Sequence, residues 1–446
     1  MKILCVSLGC DKNLVDTEMM LGLLNRDGHT FTDDENEADI IVVNTCCFIN
    51  DAKEESVNTI LEMAELKKTG KCKALIVTGC MAQRYKQEIL DEIPEVDGIL
   101  GTSTYDEISN VLKQALGGEE HISCFHDLNA LPEVETERVI TTGGYYAFLK
   151  IAEGCDKHCT YCIIPSLRGN YRSVPMERLL KEANQLADQG VRELILVAQE
   201  TTLYGVDLYG KKMLPELLHK LAEIPGIYWI RIQYCYPEEI TDELIEAIRT
   251  EEKVCHYLDV PIQHASDRIL KRMGRRTNQA QLREIIGKLR AAVPDIALRT
   301  TMIAGFPGET QEDHEEVMRF VDEMEFERLG VFTYSAEEDT PAATFPDQIP
   351  EEVKEERRDE IMELQQEIAF EKSESMVGRV LDVMIEGKVA DEAAYVGRTY
   401  MDAPNVDGYI FVNSGELFMS GDFVRVKVTG SNDYDLIGEV YDESAE

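Results

Sequence analysis

Three cysteines, in the string Cys155-Asp156-Lys157-His158-Cys159-Thr160-Tyr161-Cys162, carry the densest chemical signal in this 446-residue chain. Thiolates this close in sequence bind one compact inorganic centre more readily than they pair as disulfides. Four thiolates close a [4Fe–4S] cluster. Three leave one iron without a protein ligand, and an open coordination site serves chemistry rather than storage. Common zinc patterns add a second, distant pair of ligands, and no matching pair follows Cys162. A zinc knuckle and three buried free thiols are the structural alternatives.

A second triad emerges from position rather than spacing. Residues 3–8, 40–44 and 74–78 are near-continuous apolar runs of strand length, and amphipathic stretches follow at 14–25 and 52–66. Buried strands alternating with helices predict a parallel sheet. Each of the three runs ends at a cysteine, Cys10, Cys46 or Cys80. The carboxyl ends of parallel strands share one edge, where ligands bind, so these three thiols should converge. Gly9 and Gly79 before two of them allow close backbone approach. Ordinary half-buried cysteines are the plain alternative. Cys47 competes with Cys46, but only Cys46 matches the offset of the other two. Cys5, Cys72, Cys124, Cys235 and Cys255 read as packing thiols.

The elements that would position the spaced triad follow in a longer series. Runs at 146–152, 193–197, 229–233, 257–260, 298–303 and 329–333 predict strands. Helical patterns at 176–189, 214–223, 241–249, 279–292 and 311–323 lie between them. Six β/α units predict an incomplete parallel barrel with its chemistry at the carboxyl ends of the strands. A cofactor pocket there would draw on Gln199, Glu200, Arg231, Gln263 and the glycines Gly305 and Gly308. His264, on the same rim, reads more readily as a hydrogen-bonded residue than as a base. Arg168 and Arg172 follow the cysteine loop. They could offset the charge of a thiolate cluster or hold a substrate carboxylate, or lie solvated on a surface loop.

Residues 350–374 read as a charged, solvated connecting helix. Beyond it, alternating runs at 380–385, 395–398, 408–412, 423–428 and 436–441 predict a small five-stranded barrel. Three segments result: an α/β unit at 1–135, the incomplete barrel at 141–374 and the small β-barrel at 375–446. Small barrels often bind nucleic acid, but residues 376–446 hold 14 acidic and 5 basic side chains, a balance of −9. The whole chain carries −40, from 45 basic and 85 acidic residues. Phosphate contacts need Lys and Arg, so general RNA binding is not expected, and a basic partner is. A charge that serves only solubility is the plain alternative. The start of the chain has one positive charge and a short apolar run, unlike a signal peptide. No run reaches the ~18 apolar residues of a membrane span. Twelve cysteines without a secretory leader predict a cytoplasmic protein whose thiols stay reduced.

C-x₃-C-x₂-C with Tyr161 before the last cysteine resembles the signature of the radical S-adenosylmethionine enzymes. The resemblance implies that Cys155, Cys159 and Cys162 hold a [4Fe–4S] cluster whose open iron takes S-adenosylmethionine, with Tyr161 near the adenine. The full layout is similar to the methylthiotransferases: a domain with three dispersed cysteines, a radical barrel and a C-terminal TRAM domain. It rests on Ser7-Leu8-Gly9-Cys10-Asp11-Lys12-Asn13-Leu14-Val15-Asp16, Val43-Asn44-Thr45-Cys46-Cys47, Val77-Thr78-Gly79-Cys80, Glu153 through Gly169, and Asp259-Val260-Pro261-Ile262-Gln263-His264. Membership implies a second [4Fe–4S] cluster on Cys10, Cys46 and Cys80, carrying the sulfur to be inserted.

One branch of that family modifies an adenosine of tRNA. The other modifies the β-carbon of an aspartate in small-subunit ribosomal protein S-twelve. The strings Leu8 to Asp16, Ile163-Ile164-Pro165-Ser166-Leu167-Arg168-Gly169 and Asp402-Ala403-Pro404-Asn405-Val406-Asp407-Gly408 resemble the second branch. An acidic chain suits a basic ribosomal protein and repels tRNA. Arg168 or Arg172 is then expected to orient the target carboxylate, with an electron donor as a further partner. The family string Arg-Ser-Arg is broken here, since Val174 follows Arg172 and Ser173. The rival functions are tRNA methylthiolation and a non-catalytic iron–sulfur protein that docks on the ribosome.

Overall fold

The computed structural model describes residues 1–132, 134 and 137–442, so the expected first boundary near 135 and the last four residues lie outside the described residues. Apolar β-branched runs build the first sheet: β1 (Lys2–Ser7), β2 (Thr30–Phe31), β3 (Ile40–Thr45), β4 (Ala74–Gly79), β5 (Gly98–Leu100) and β6 (Ile122–Cys124), in the order β2-β1-β3-β4-β5-β6. All its pairings are parallel. Every residue of β3 and β4 is buried, as a sheet covered on both faces requires. Helices α1 (Asp11–Arg26), α2 (Asn50–Thr69) and α3 (Cys80–Tyr85) begin at or shortly after the ends of β1, β3 and β4.

The second sheet is the expected open barrel. Its strands are β7 (Tyr146–Lys150), β10 (Glu193–Val197), β11 (Trp229–Ile232), β12 (Val254–Asp259), β13 (Ala297–Ala304) and β14 (Arg328–Thr333). They pair in parallel and in chain order. A short antiparallel pair, β8 (Ala152–Glu153) with β9 (Arg172–Ser173), brackets the cysteine loop. The outer face packs on amphipathic helices including Met176–Asp188, Leu214–Ala222 and Gln279–Ala292. Helix Glu351–Ser375 then leads to a closed five-stranded barrel: β15 (Val380–Lys388), β16 (Ala394–Arg398), β17 (Ile410–Asn413), β18 (Phe423–Asn432) and β19 (Asp435–Val440).

Two foreign elements cover the inner face of the open barrel. Val15, Met19 and Met20 of α1 share one apolar cluster with Tyr146, Phe148, Ile195 and Val197. The small barrel shares another with Trp229, Tyr257 and Ala297. The segment joining β16 to β17 adds a polar clasp. Arg231 donates to Glu193 at 2.7 Å and to the Tyr400 carbonyl at 2.6 Å, and Arg398 donates to the other Glu193 oxygen at 2.7 Å. Asp402 accepts from Arg328 at 3.2 Å, and Asp407 accepts from the Tyr257 hydroxyl at 3.0 Å and faces Arg299 at 3.4 Å. Part of the small barrel's acidity is therefore consumed inside the protein.

Candidate active site

The first triad forms where the register of the first sheet delivers it. Ser7 pairs with Asn44, Asn44 with Thr78 and Thr45 with Gly79, so the chain leaves three neighbouring strands at one edge. Cys10 caps α1, Cys46 follows β3 and Cys80 opens α3. Gly9 has φ +89°, and a Cβ there would lie 2.6 Å from the Cys46 Cβ. Gly79 has φ +92°, and its Cβ would lie 2.3 Å from Asn44 Oδ1. Only glycine fits both places.

Asparagines fasten these turns. Asn13 Nδ2 donates to the carbonyls of Leu8 and Thr45, both at 3.0 Å, and Asn44 Nδ2 donates to the Asn13 carbonyl at 2.8 Å. Cys80 Sγ lies 3.9 Å from Asn13 Oδ1. Burial raises the Cys46 thiol and pushes Cys80 up to about 12, with Arg168 pulling against it. Cys47 packs into a hydrophobic cluster, its thiol beside Arg84, apart from this fastening.

The second triad sits in the loop after β8. Gly154, at φ +76°, passes against Asn170, whose carbonyl a Cβ would meet at 2.1 Å. The Cys155 N–H donates to the Gly169 carbonyl at 3.1 Å, and the Cys162 N–H to the Cys159 carbonyl at 3.0 Å. Thr160 anchors the loop to the Met273 carbonyl at 2.9 Å. Tyr161 stands edge-on to Phe306, with ring centres 6.3 Å apart. Cys159 Sγ lies 3.6 Å from the Tyr236 hydroxyl. Burial pushes Cys155 up to about 11 and Cys162 to about 12.

All six thiols are free. Buried neutral thiols become thiolate ligands when a metal cation joins them, so the donor set suits iron–sulfur clusters. Among the described residues no three His, Cys, Asp or Glu side chains close around a single ion. That is the expected outcome for cluster ligands, each of which binds a different iron. The rim beside the second triad also fits a polar cofactor. Gln199 Oε1, Glu200 Oε2, Gln233 Oε1 and the Tyr334 hydroxyl are buried without a hydrogen-bond partner. Burial pushes Glu200 up to about 7, although Thr202 and Lys157 oppose it.

Three expected site arginines are engaged by the protein itself. Arg231 points away from the cofactor rim into the Glu193–Arg398 clasp, because its strand faces the small barrel there. Arg168 is not free for a substrate carboxylate. Its guanidinium donates to Asp16 at 2.8 Å, to Glu153 at 3.2 Å and to Asn13. Arg172 spends its donors on the carbonyls of Ala130, Arg168 and Asn170, at 3.2, 2.7 and 2.9 Å. It therefore ties down the chain around the cysteine loop.

Gln263 lies on the rim at φ +74°, its backbone bonded to Thr301 and Ile303. Gly305 makes room for Lys354, and Gly308 for Arg272. His264 is buried, with Nδ1 accepting from the Ser266 N–H at 2.9 Å. Sequence reasoning passed over Asn13, Asp16, Glu153 and Gln233. The first two sit three and six residues after Cys10, on the helical repeat that returns to one face, which was the available signal.

Arg168 links the loops of the two cysteine triads. On one side it meets Asn13 and Asp16 of α1; on the other it meets Glu153, which accepts from Gln199 at 3.2 Å. The carboxyl edges of both sheets thus meet across α1. Residues 2–101 match the uncharacterized protein family UPF0004, residues 149–321 the Radical SAM superfamily and residues 377–440 the TRAM domain. A ribosomal protein uS12 methylthiotransferase RimO of Lachnoclostridium phytofermentans is 68% identical over 98% of this chain and 99% of its own length. The RimO of Acetivibrio thermocellus is 52% identical over 100% and 99%. The chain belongs to the RimO family. It is a radical S-adenosylmethionine methylthiotransferase. The structure of the radical S-adenosylmethionine methyltransferase TsrM from Kitasatospora setae, with cobalamin and a [4Fe–4S] cluster, superposes with a TM-score of 0.54 over 76% of this chain and 73% of that one. At 12% identity this likeness concerns the fold alone.

Proposed function

We propose that this enzyme adds a methylthio group to the β-carbon of an aspartate in ribosomal protein uS12, using two [4Fe–4S] clusters. The observation that carries the reading is the meeting of two separate cysteine triads, at the carboxyl edges of two parallel sheets, through Arg168 and α1. Cys155, Cys159 and Cys162 would hold the cluster that binds S-adenosylmethionine, and Cys10, Cys46 and Cys80 the second. When bound, these groups supply a carbon radical that takes a hydrogen atom from the substrate carbon, and the sulfur and methyl that replace it.

The chain's own residues provide position. Tyr161 and Phe306 wall the cofactor side, and the unpartnered atoms of Gln199, Glu200, Gln233 and Tyr334 offer polar contacts. Arg168 and Asn13 hold the two ligand loops at a fixed separation. A chain of net charge −40 attracts a basic ribosomal protein and speeds the encounter. Among the described residues no helix is long and apolar enough to cross a membrane, and the reducing cytoplasm suits the thiols.

Anaerobically reconstituted enzyme should carry about eight irons per chain, and the triple Cys10, Cys46 and Cys80 to Ala variant about four. Mass spectrometry should find the methylthio gain on uS12 and none on tRNA. Gain on tRNA alone, or an unchanged iron load in the triple variant, would sink the reading.

A further inference from the structure

Lys12 is a buried lysine with no ion-pair partner among the described residues, placed inside the proposed site. Its residue is 6% exposed. The other buried lysines all have carboxylates: Lys150 has Asp16 and Glu153, Lys157 has Glu238 and Glu239, and Lys354 has Glu351 at 2.8 Å. Among the described residues no hydrogen bond or ion pair engages the Lys12 side chain. Its ammonium instead rests 3.3 Å from the centre of the Tyr234 ring. Tyr234 belongs to the rim of the second sheet and donates its hydroxyl to Asp11 at 3.0 Å. Lys12 therefore stands in the first turn of α1, two residues from Cys10, facing the rim that carries the other triad.

The Lys12 ammonium has an aromatic face but no bonded partner, which leaves its three donors free for an incoming anion. Its surroundings favour an anion. The cap of α1, Cys10, makes no side-chain bond to the helix, and the positive end of this 16-residue helix points the same way. Arg168, the obvious alternative cation, is already ion-paired with Asp16 and Glu153, and Arg172 is bonded to backbone carbonyls.

We infer that the Lys12 ammonium binds the side-chain carboxylate of the target aspartate and so sets the enzyme's preference for an acidic residue. The inference rests on the function proposed above. It also separates the work of the cations: Arg168 joins the two ligand loops, and Lys12 meets the substrate.

The test uses reconstituted enzyme and whole uS12, either with its target aspartate or with asparagine in its place. Lys12→Met keeps the length and removes the charge. It should weaken binding of the aspartate form about 10- to 100-fold, the range for a hydrogen bond to a charged group. It should leave the affinity for the asparagine form and the iron content unchanged. Lys12→Arg keeps the charge and should keep the preference for aspartate. Equal weakening of both forms, no weakening of either, or loss of iron in K12M would overturn the assignment, the last by giving the ammonium to the cluster. The two readings fail distinguishably. If wild-type enzyme leaves uS12 unmodified, the proposed function falls and takes this inference with it. If wild type modifies uS12 and K12M binds it as tightly, only the role of Lys12 falls.

Discussion

The clasp between the open barrel and the small barrel can be broken at one atom pair. Glu193 is fully buried and accepts from two fully buried arginines, Arg231 and Arg398, each at 2.7 Å. Glu193→Gln keeps the shape and removes the charge. Both guanidiniums remain buried. Arg231 keeps only carbonyl partners, and Arg398 keeps Glu386 and the Asp402 carbonyl. Removing one member of a buried ion pair costs about 3–5 kcal/mol, because the uncompensated charge stays behind.

The chain's single tryptophan, Trp229, reports on this place. It is 8% exposed and meets Phe423 of the small barrel edge-on, with ring centres 4.8 Å apart. Urea unfolding followed by Trp229 fluorescence should therefore shift its midpoint downward by about 1–1.7 M, for a slope near 3 kcal/mol/M. A shift below about 0.3 M on that slope would refute the claim that Glu193 compensates the two arginines. The difference should also depend on pH. Burial alone would raise the Glu193 carboxyl, but Arg398 and Arg231 outweigh it and hold it below its ordinary 4.5. A carboxylate lowered on folding contributes its stability above the unfolded value and loses it as pH falls through the folded one. Wild type and E193Q should thus differ fully at neutral pH and converge on acidification below about 4.5.

Two further perturbations address the ligand loops. Gly79→Ala forces a Cβ to within 2.3 Å of Asn44 Oδ1 at φ +92°, so the chain before Cys80 must move, and iron analysis should show about four irons in place of about eight. Arg168→Met leaves Asp16 and Glu153 with Lys150 as their shared cation, and a loss of about 3–5 kcal/mol should appear in equilibrium unfolding.

The shared edge of Cys10, Cys46 and Cys80 was legible because the first sheet is parallel. Apolar runs locate the strands, parallel pairing aligns their carboxyl ends, and a cysteine just past each run must lie on the shared edge. The surroundings of Arg231 were not legible in this way. Alternation places it on the inner face, but the four-residue strand Trp229–Ile232 has two ends, and the small barrel, more than 160 residues away, covers the lower one. The ion pairs of Arg168 were illegible for a similar reason. Its partner Asp16 is 152 residues distant, and no local pattern announces a buried ion pair. The strands Thr30–Phe31, Gly98–Leu100 and Ile122–Cys124 were missed because two or three residues carry no periodicity. The string Asp402 to Gly408 was read only as a branch marker, although its carboxylates turn inward to Arg328 and Arg299.

One helix accounts for the joint between the two centres. Along α1, Cys10 caps the helix, Asp11 holds Tyr234, Lys12 lies on that ring, Asn13 ties Leu8 to Thr45, Asp16 takes Arg168 and Lys150, and Glu18 takes the Thr141 N–H at 2.7 Å. Residues three or four apart on a helix share a face, so one short segment presents one face to the first sheet and another to the second. The two-cluster reaction proposed above needs both cysteine triads held to within about 0.5 Å, which helices and strands provide better than loops. The apolar cluster of Val15, Met19 and Met20 against β7 and β10 supplies the rigidity, while the polar first turn carries Lys12 and follows Cys10, to which the proposed roles fall. Placing both on the same 16 residues means that the packing that joins the two sheets also sets the distance between their reactive edges.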